Sequence, residues 1–454
     1  MTTAIEIQPA GPIYGSIRPP GSKSLTNRAL VCAALAEGES VLIGALDSED
    51  TRVMIEALRQ LGILVEHDDK SLIRPHPNPL RAPTGTMRSM VGWSGEGTVG
   101  RTIRVIGCNG RPPAKEANLF AANSGTTIRF LTALVALGRG RFRLDGSPRM
   151  RERPIQDLLD ALGQLGATAY SELQNGCPPV VVEATGLRGG RAEIAGDISS
   201  QFLSGLLMAT PCADNPVELV LRGRMVSKPY VAMTTAVMSA FGVSVDTQSG
   251  WFLVPVDQGY HGREYEIEPD ASAASYFFAA SAITGGKITV EGLSRRSLQG
   301  DVAFCDCLEK MGCTVQYGEN VITVCGEKLR GIEVDMNAIS DTVQTLAAVA
   351  LFAEGPTTIT GVAHIRHKET DRIHALANEL RKIGANVEER PDGLRITPGV
   401  LRAAKIETYN DHRMAMSLSL VGLAVPGIII LDPECTVKTY PDFFGDITRL
   451  AHSD

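Results

Sequence analysis

The chain has 454 residues, of which 44% are hydrophobic and 21% charged, a globular composition that excludes wholesale disorder and can bury a large core without disulfide support. At ~150 residues per domain, the length predicts about three domains or two large ones. Lys and Arg number 44 against 51 Asp and Glu, a net charge of −7, so a general polyanion binder is excluded and any anion site must gather its cations locally.

In chain order, Met1–Pro20 has neither a basic n-region nor an apolar h-region, so no secretory leader is expected. Gly21-Ser22-Lys23-Ser24 opens an apolar helix but lacks the Gly-Lys pair and glycine spacing of a P-loop. In Thr51–Gly62, Met54, Leu58 and Leu61 share one helical face, and Gly62 is a C-terminal stop. Residues 75–101, rich in Gly, Pro, Ser and Thr, read as an inserted loop. Asn123-Ser124-Gly125-Thr126-Thr127 opens the next helix, and Leu165-Gly166 ends another. Between them Arg141, Arg143, Arg149, Arg151 and Arg153 predict a solvated basic loop. The pattern returns as Asp197-Ile198-Ser199-Ser200-Gln201 with Phe241-Gly242, after which Val243-Ser244-Val245 reads as a strand. It returns again as Asp270-Ala271-Ser272 with Met311-Gly312, and as Asp341-Thr342 with Ile383-Gly384. In the last of these, Ile373, Leu376, Leu380 and Ile383 form one face, which puts Lys368 and Glu369 just before or in the first turn. Asn410-Asp411-His412-Arg413 is a sixth opening. The 18 apolar-rich residues Met414–Leu431 approach a spanning length, but Pro426-Gly427 divides them and Ser417 and Ser419 interrupt the first half. They predict a buried helix, a turn and a strand over 428–431.

The five terminal glycines are spaced by 104, 76, 70 and 72 residues. With the sixth opening they define six units of about 70 residues, the first about 30 longer because of the inserted loop. Each unit mixes helix and strand, which favours two α/β domains of three units over a solenoid. Nine cysteines (32, 108, 177, 212, 305, 307, 313, 325 and 435) form no C-x-x-C pair. Reduced, mostly buried thiols of a cytosolic protein are expected rather than zinc ligands. His364, His367 and His374 do not all share one helical face, so no metal is expected there.

The six openings place Ser, Thr, Asn, Asp or Gly at helix N-termini, where they cap free N–H groups. Capping alone accounts for any one of them. Lys23, Arg28, Arg129, Arg153 and Arg413 lie beside them, however, and together such helix ends suit phosphate or carboxylate.

Several motifs carry a resemblance: Gly21–Arg28, Asn123–Thr126, Arg149–Ile155, Ser227-Lys228-Pro229-Tyr230, Arg366–Arg372 and Tyr409–Met416. In these, in order over nearly the whole chain, the sequence resembles the EPSP synthase (3-phosphoshikimate 1-carboxyvinyltransferase) family of enolpyruvyl transferases. The resemblance implies an inside-out α/β fold of two domains, each of three βαβαββ units. Domain 1 would be 1–21 plus 268–454, and domain 2 would be 22–267. It implies transfer of the enolpyruvyl group of phosphoenolpyruvate to the 5-hydroxyl of shikimate 3-phosphate by addition and elimination, with no metal or cofactor. Asp341, Glu369 and Lys23 would be catalytic. Lys23, Ser24, Arg28, Ser199, Ser200, Gln201, Ser227, Asp341, His364 and Lys368 would bind shikimate 3-phosphate. Lys23, Asn123, Gly125, Arg153, Gln201, Arg372, Arg413 and Lys438 would bind phosphoenolpyruvate. The family commonly has Asn where His364 stands. The resemblance further implies a monomer sensitive to glyphosate; the cysteine usage predicts a cytoplasmic protein, the charge predicts no nucleic-acid partner, no membrane partner is expected, and like charges on both halves predict closure on anionic ligands. Two rival readings are a UDP-N-acetylglucosamine enolpyruvyl transferase and an RNA-end-processing relative. The first expects a loop cysteine that neither Cys108 nor Cys177 matches, and the second expects an aromatic stacking series that the chain lacks.

Overall fold

The computed structural model describes residues 3–68, 101–248 and 250–452. The twelve α-helices among the described residues fall into six pairs. They are α1 (Lys23–Leu35) and α2 (Glu49–Gln60), α3 (Gly125–Val135) and α4 (Gln156–Gln164), and α5 (Ser200–Ala209) and α6 (Lys228–Ala240). In the second half they are α7 (Ala271–Thr284) and α8 (Phe304–Met311), α9 (Val343–Ala350) and α10 (Arg372–Ile383), and α11 (His412–Gly422) and α12 (Phe443–Ala451).

The first helix of each pair is buried on nearly every side, which explains why these segments carry small and apolar residues all round. α1, α3 and α5 pack on one another in one half, and α7, α9 and α11 in the other. Sheets surround each trio, so the helices are inside and the strands outside. One apolar core runs from Leu25 to Ile267; the other joins Ile7, Ile13 and Ile17 to residues 271–450.

Five sheets have four strands and one plan: a parallel pair followed by an antiparallel hairpin. In the second unit Glu116–Phe120 lies parallel to Arg139–Asp145, which pairs with Val180–Thr185, and Thr168–Ser171 is the far edge. The first and fourth units exchange a strand. Tyr14–Ile17, just before α1, lies parallel to Lys287–Glu291, whereas Glu264–Glu266, just before α7, lies parallel to Glu39–Ala45. The two connections cross, with Ser22 N donating to Glu268 O and Asp270 N to Pro20 O, both at 2.8 Å. The sixth sheet has three strands, and Ala4–Ile7 supplies its antiparallel partner to Ile428–Leu431.

All five terminal glycines, Gly62, Gly166, Gly242, Gly312 and Gly384, have positive φ between 84° and 116°, the left-handed stop that a Cβ disfavours. The strand after Gly242 begins at Asp246 rather than Val243. The 141–153 arginines do not form a loop. Arg141 and Arg143 lie on a strand where buried Phe142 and Leu144 alternate with them, and Arg153 is buried. Met414–Leu431 divides as expected into most of α11 and the strand Ile428–Leu431. The inserted loop lies outside the described residues except for Arg101, which opens a strand. All nine cysteines are free.

Candidate active site

The N-termini of the six inner helices meet between the two halves. Five are capped by side chains. Ser22, Ser124, Ser199, Asp270 and Asp411 accept from the amides of Leu25, Thr127, Gln201, Ala273 and Arg413 respectively. Asp270 Oδ2 also accepts from Lys23 N, 3.1 Å away across the crossing point. The sixth opening differs. Asp341 sits in a 3-10 turn, Asn337–Thr342, and its carboxylate turns to cations instead of capping α9.

Two adjoining cavities lie here, sharing Lys23, Thr126, Gln201, Asp341 and Lys368. The first is also lined by Asp50, Gly125, Arg153, Glu369, Arg372 and Arg413. The second is also lined by Ser24, Arg28, Ser200, Ser227 and Tyr230. Most of the expected site residues are therefore brought together. Asn123, Ser199, His364 and Lys438 stand behind the walls. Ser199 is spent on its cap, and His364 Nε2 lies 3.4 Å from Ser227 Oγ. Lys438 donates to Asn123 O at 2.9 Å, and Arg153 donates to the same carbonyl at 3.0 Å. Asp50, Thr126 and Tyr230 also line the cavities, although the sequence motifs assign them no ligand. Asp50 resembles an ordinary first-turn acid of α2; only the fold sets it 3.3 Å from Lys23 and 3.1 Å from Lys438.

Charge in the first cavity is dense. Arg372 makes a two-pronged pair with Asp411 (2.7 and 3.2 Å) and reaches Glu369 at 2.8 Å and Asp341 at 3.4 Å. Arg413 meets Asp341 at 2.7 Å, and Lys368 stands 3.8 Å from it. Burial alone would raise the Glu369 carboxyl, but Arg372, Arg153 and Lys438 hold it well below the ordinary carboxylate range. Asp341 is held down in the same way by Arg413, Lys368 and Arg372. Glu369 stands two residues before the Asp371 cap of α10, outside its first turn, so a helix-dipole role does not account for it.

In the second cavity Arg28 is buried among neutral partners: Thr234 Oγ1 at 2.7 Å, Ser24 O at 2.9 Å and Tyr230 O at 3.1 Å. The Phe130 ring lies 5.3 Å from its guanidinium carbon. Burial lowers Arg28 to about 10, still charged at neutral pH. Burial lowers Lys368 to about 8. It lowers His364 to about 4 with help from Lys368, so that ring is neutral at pH 7. Gly125 lies in close approach to two guanidinium groups: a Cβ there would lie 2.8 Å from Arg153 Cζ and 3.0 Å from Arg129 Nη1, so those side-chain ends would have to shift.

Two halves of three units each, with inner helix ends meeting at a cation-lined cleft, define an inside-out α/β protein. The family model for EPSP synthase (3-phosphoshikimate 1-carboxyvinyltransferase) matches residues 7–98 and 94–447, and the chain belongs to that family. The 3-phosphoshikimate 1-carboxyvinyltransferase of Nostoc punctiforme is 47% identical over 435 residues, 95% of each chain. That of Shewanella denitrificans is 46% identical over 451 residues, 98% of each chain. The solved EPSP synthase of Acinetobacter baumannii shares the fold, with a TM-score of 0.76 at 24% identity over 99% of this chain and 98% of that one.

Proposed function

We propose that the protein transfers the enolpyruvyl group of phosphoenolpyruvate to the 5-hydroxyl of shikimate 3-phosphate. One observation carries this reading: two joined anion-receptive cavities share Lys23 and Asp341, and a buried carboxylate, Glu369, lies in only one of them. The first cavity suits phosphoenolpyruvate, whose phosphate and carboxylate would meet the guanidinium forks of Arg153, Arg372 and Arg413, with Lys438 behind. The second suits shikimate 3-phosphate, with Ser200, Ser227 and Arg28 at its phosphate and Lys368 toward the ring.

In this reading Asp341 or Lys23 takes the proton of the attacking 5-hydroxyl, and oxygen bonds to C2 of phosphoenolpyruvate while Glu369 protonates C3. The tetrahedral adduct then loses phosphate as a C3 proton returns to Glu369. A carboxylate held so acidic cannot deliver a proton unaided. A phosphate dianion beside Arg372, Arg153 and Lys438 would offset their charge and raise Glu369 toward a working range. The halves would be domains divided near 21 and 267, and the enzyme would act as a cytoplasmic monomer without a nucleic-acid partner.

The test is release of inorganic phosphate from phosphoenolpyruvate, with shikimate 3-phosphate in one reaction and UDP-N-acetylglucosamine in another. Release with shikimate 3-phosphate alone is expected. Release only with the sugar nucleotide, or with neither, overturns the reading.

A further inference from the structure

Tyr230 has one hydroxyl proton and faces two carboxylates, one buried and one part-buried. Its Oη lies 3.0 Å from Asp301 Oδ2 and 3.3 Å from Asp341 Oδ2. Tyr230 comes from α6 in one half of the molecule. Asp301, on the short turn Gly300–Ala303, and Asp341 come from the other. A phenol donates one hydrogen bond, so the two carboxylates compete for it.

They are unequally equipped. Asp341 has Arg413, Arg372 and Lys368 around it. Asp301 is 4% exposed, Ser272 Oγ hydrogen-bonds its Oδ2, and its Oδ1 has no partner. A carboxylate buried this way, without a cation in contact, favours its protonated form. The titratable and charged groups facing it are Tyr230 from α6, Asp341 from the turn before α9 and Arg413 from α11; α7 contributes the neutral Ser272 hydroxyl. Burial, together with the charge of Asp341, pushes Asp301 up to about 6.

We propose that Asp301 is a positioning residue that governs, through Tyr230, how freely Asp341 can engage the hydroxyl of the acceptor substrate; this rests on the enolpyruvyl transfer proposed above. Protonated Asp301 donates to Tyr230 Oη, which turns the phenol proton onto Asp341 Oδ2 and occupies that oxygen. Ionised Asp301 draws the phenol proton to itself and leaves Asp341 Oδ2 with Arg413 as its remaining donor and one lone pair open to the acceptor hydroxyl. One proton arrives at or leaves Asp301, and no covalent bond between heavy atoms changes.

The test is the pH profile of kcat for phosphate release from pH 5 to 8, using the full chain and Asp301→Asn, Tyr230→Phe and the double variant. The native kcat should rise through a step near pH 6. Asp301→Asn should lose that step and fall roughly tenfold at pH 7.5, with KM changed less than about twofold, and should add nothing to Tyr230→Phe. Infrared absorption of a protonated carboxyl group, titrating near 6 in the unliganded protein, should be present in native protein and Tyr230→Phe and missing in Asp301→Asn. The proposal is overturned if Asp301→Asn keeps the step, or slows Tyr230→Phe as much as it slows the native enzyme. If Asp301→Asn fails to fold, persistence of the kcat step in Tyr230→Phe overturns it instead. If the native protein releases no phosphate, the enolpyruvyl reading fails separately, and an absent infrared titration in the native protein still refutes the proton on Asp301.

Discussion

On the face of the cleft built by α1, α3 and α5, the helix caps are the hydroxyls of Ser22, Ser124 and Ser199. On the opposite face, Asp270 and Asp411 cap α7 and α11, and Asp341 stands one residue before the N-cap of α9. The arginines follow suit. Arg28, Arg129 and Arg153 of the first face bond to hydroxyl, amide and carbonyl oxygens, whereas Arg372 and Arg413 of the second meet carboxylates. One repeated unit has thus produced two chemistries. On the hydroxyl face these three arginines have no carboxylate in contact among the described residues, although Lys23 there pairs with Asp50 at 3.3 Å. The carboxylate face holds its arginines in ion pairs.

The contrast breaks most severely at Asp411. Asp411→Ala strips the buried Arg372 of its two-pronged partner, and the midpoint of urea unfolding should fall by the equivalent of about 3–5 kcal/mol. An unchanged midpoint would mean that Glu369 and Asp341 suffice for Arg372. Glu369→Gln keeps the shape of the side chain but removes the acid, and kcat should fall at least ~10²-fold with a smaller change in KM. Near-native turnover would remove Glu369 from the chemistry.

On the hydroxyl face, Gly125→Ala drives a methyl against the Arg153 guanidinium, and KM for phosphoenolpyruvate should rise about tenfold as the fork backs away. Glyphosate inhibition should weaken with it, and an unchanged KM would detach Arg153 from that substrate. Lys368 ties the two faces to pH. Because burial lowers it to about 8, it is charged below that pH and neutral above. KM for shikimate 3-phosphate should therefore be flat up to about pH 7, begin to rise near pH 8 and climb several-fold by pH 9, and Lys368→Arg, which stays charged, should abolish the climb. The smallest effect is expected from Ser124→Ala, which loses one cap and should cost about 1 kcal/mol in the same urea titration. A loss as large as that of Asp411→Ala would erase the distinction between the faces.

Much of this organisation can be read from residue order. Gly62, Gly166, Gly242, Gly312 and Gly384 announce helix ends because an L side chain there would be strained, and that strain is local. The six openings are legible for a similar reason: cap residues act within three positions of themselves. What escapes is whatever depends on partners far along the chain. Asp50 pairs with Lys438, and Tyr230 reaches Asp301, only after folding. The arginines of 141–153 mislead differently. Their charge suggests a loop, but Phe142 and Leu144 alternate with Arg141 and Arg143 in the period-two signature of a half-buried strand. Nothing in the composition marks the strand exchange.

That exchange bears on how the molecule is made. Glu39–Ala45 emerges early, yet its parallel neighbour Glu264–Glu266 is synthesised roughly 220 residues later, an interval of ~10–45 s at ribosomal rates. Throughout it the first sheet has an open edge, a template for stray strands and a load on whatever shields nascent chains. Tyr14–Ile17, already outside the ribosome, must meanwhile wait for Lys287–Glu291, so the two halves mature together rather than one after the other.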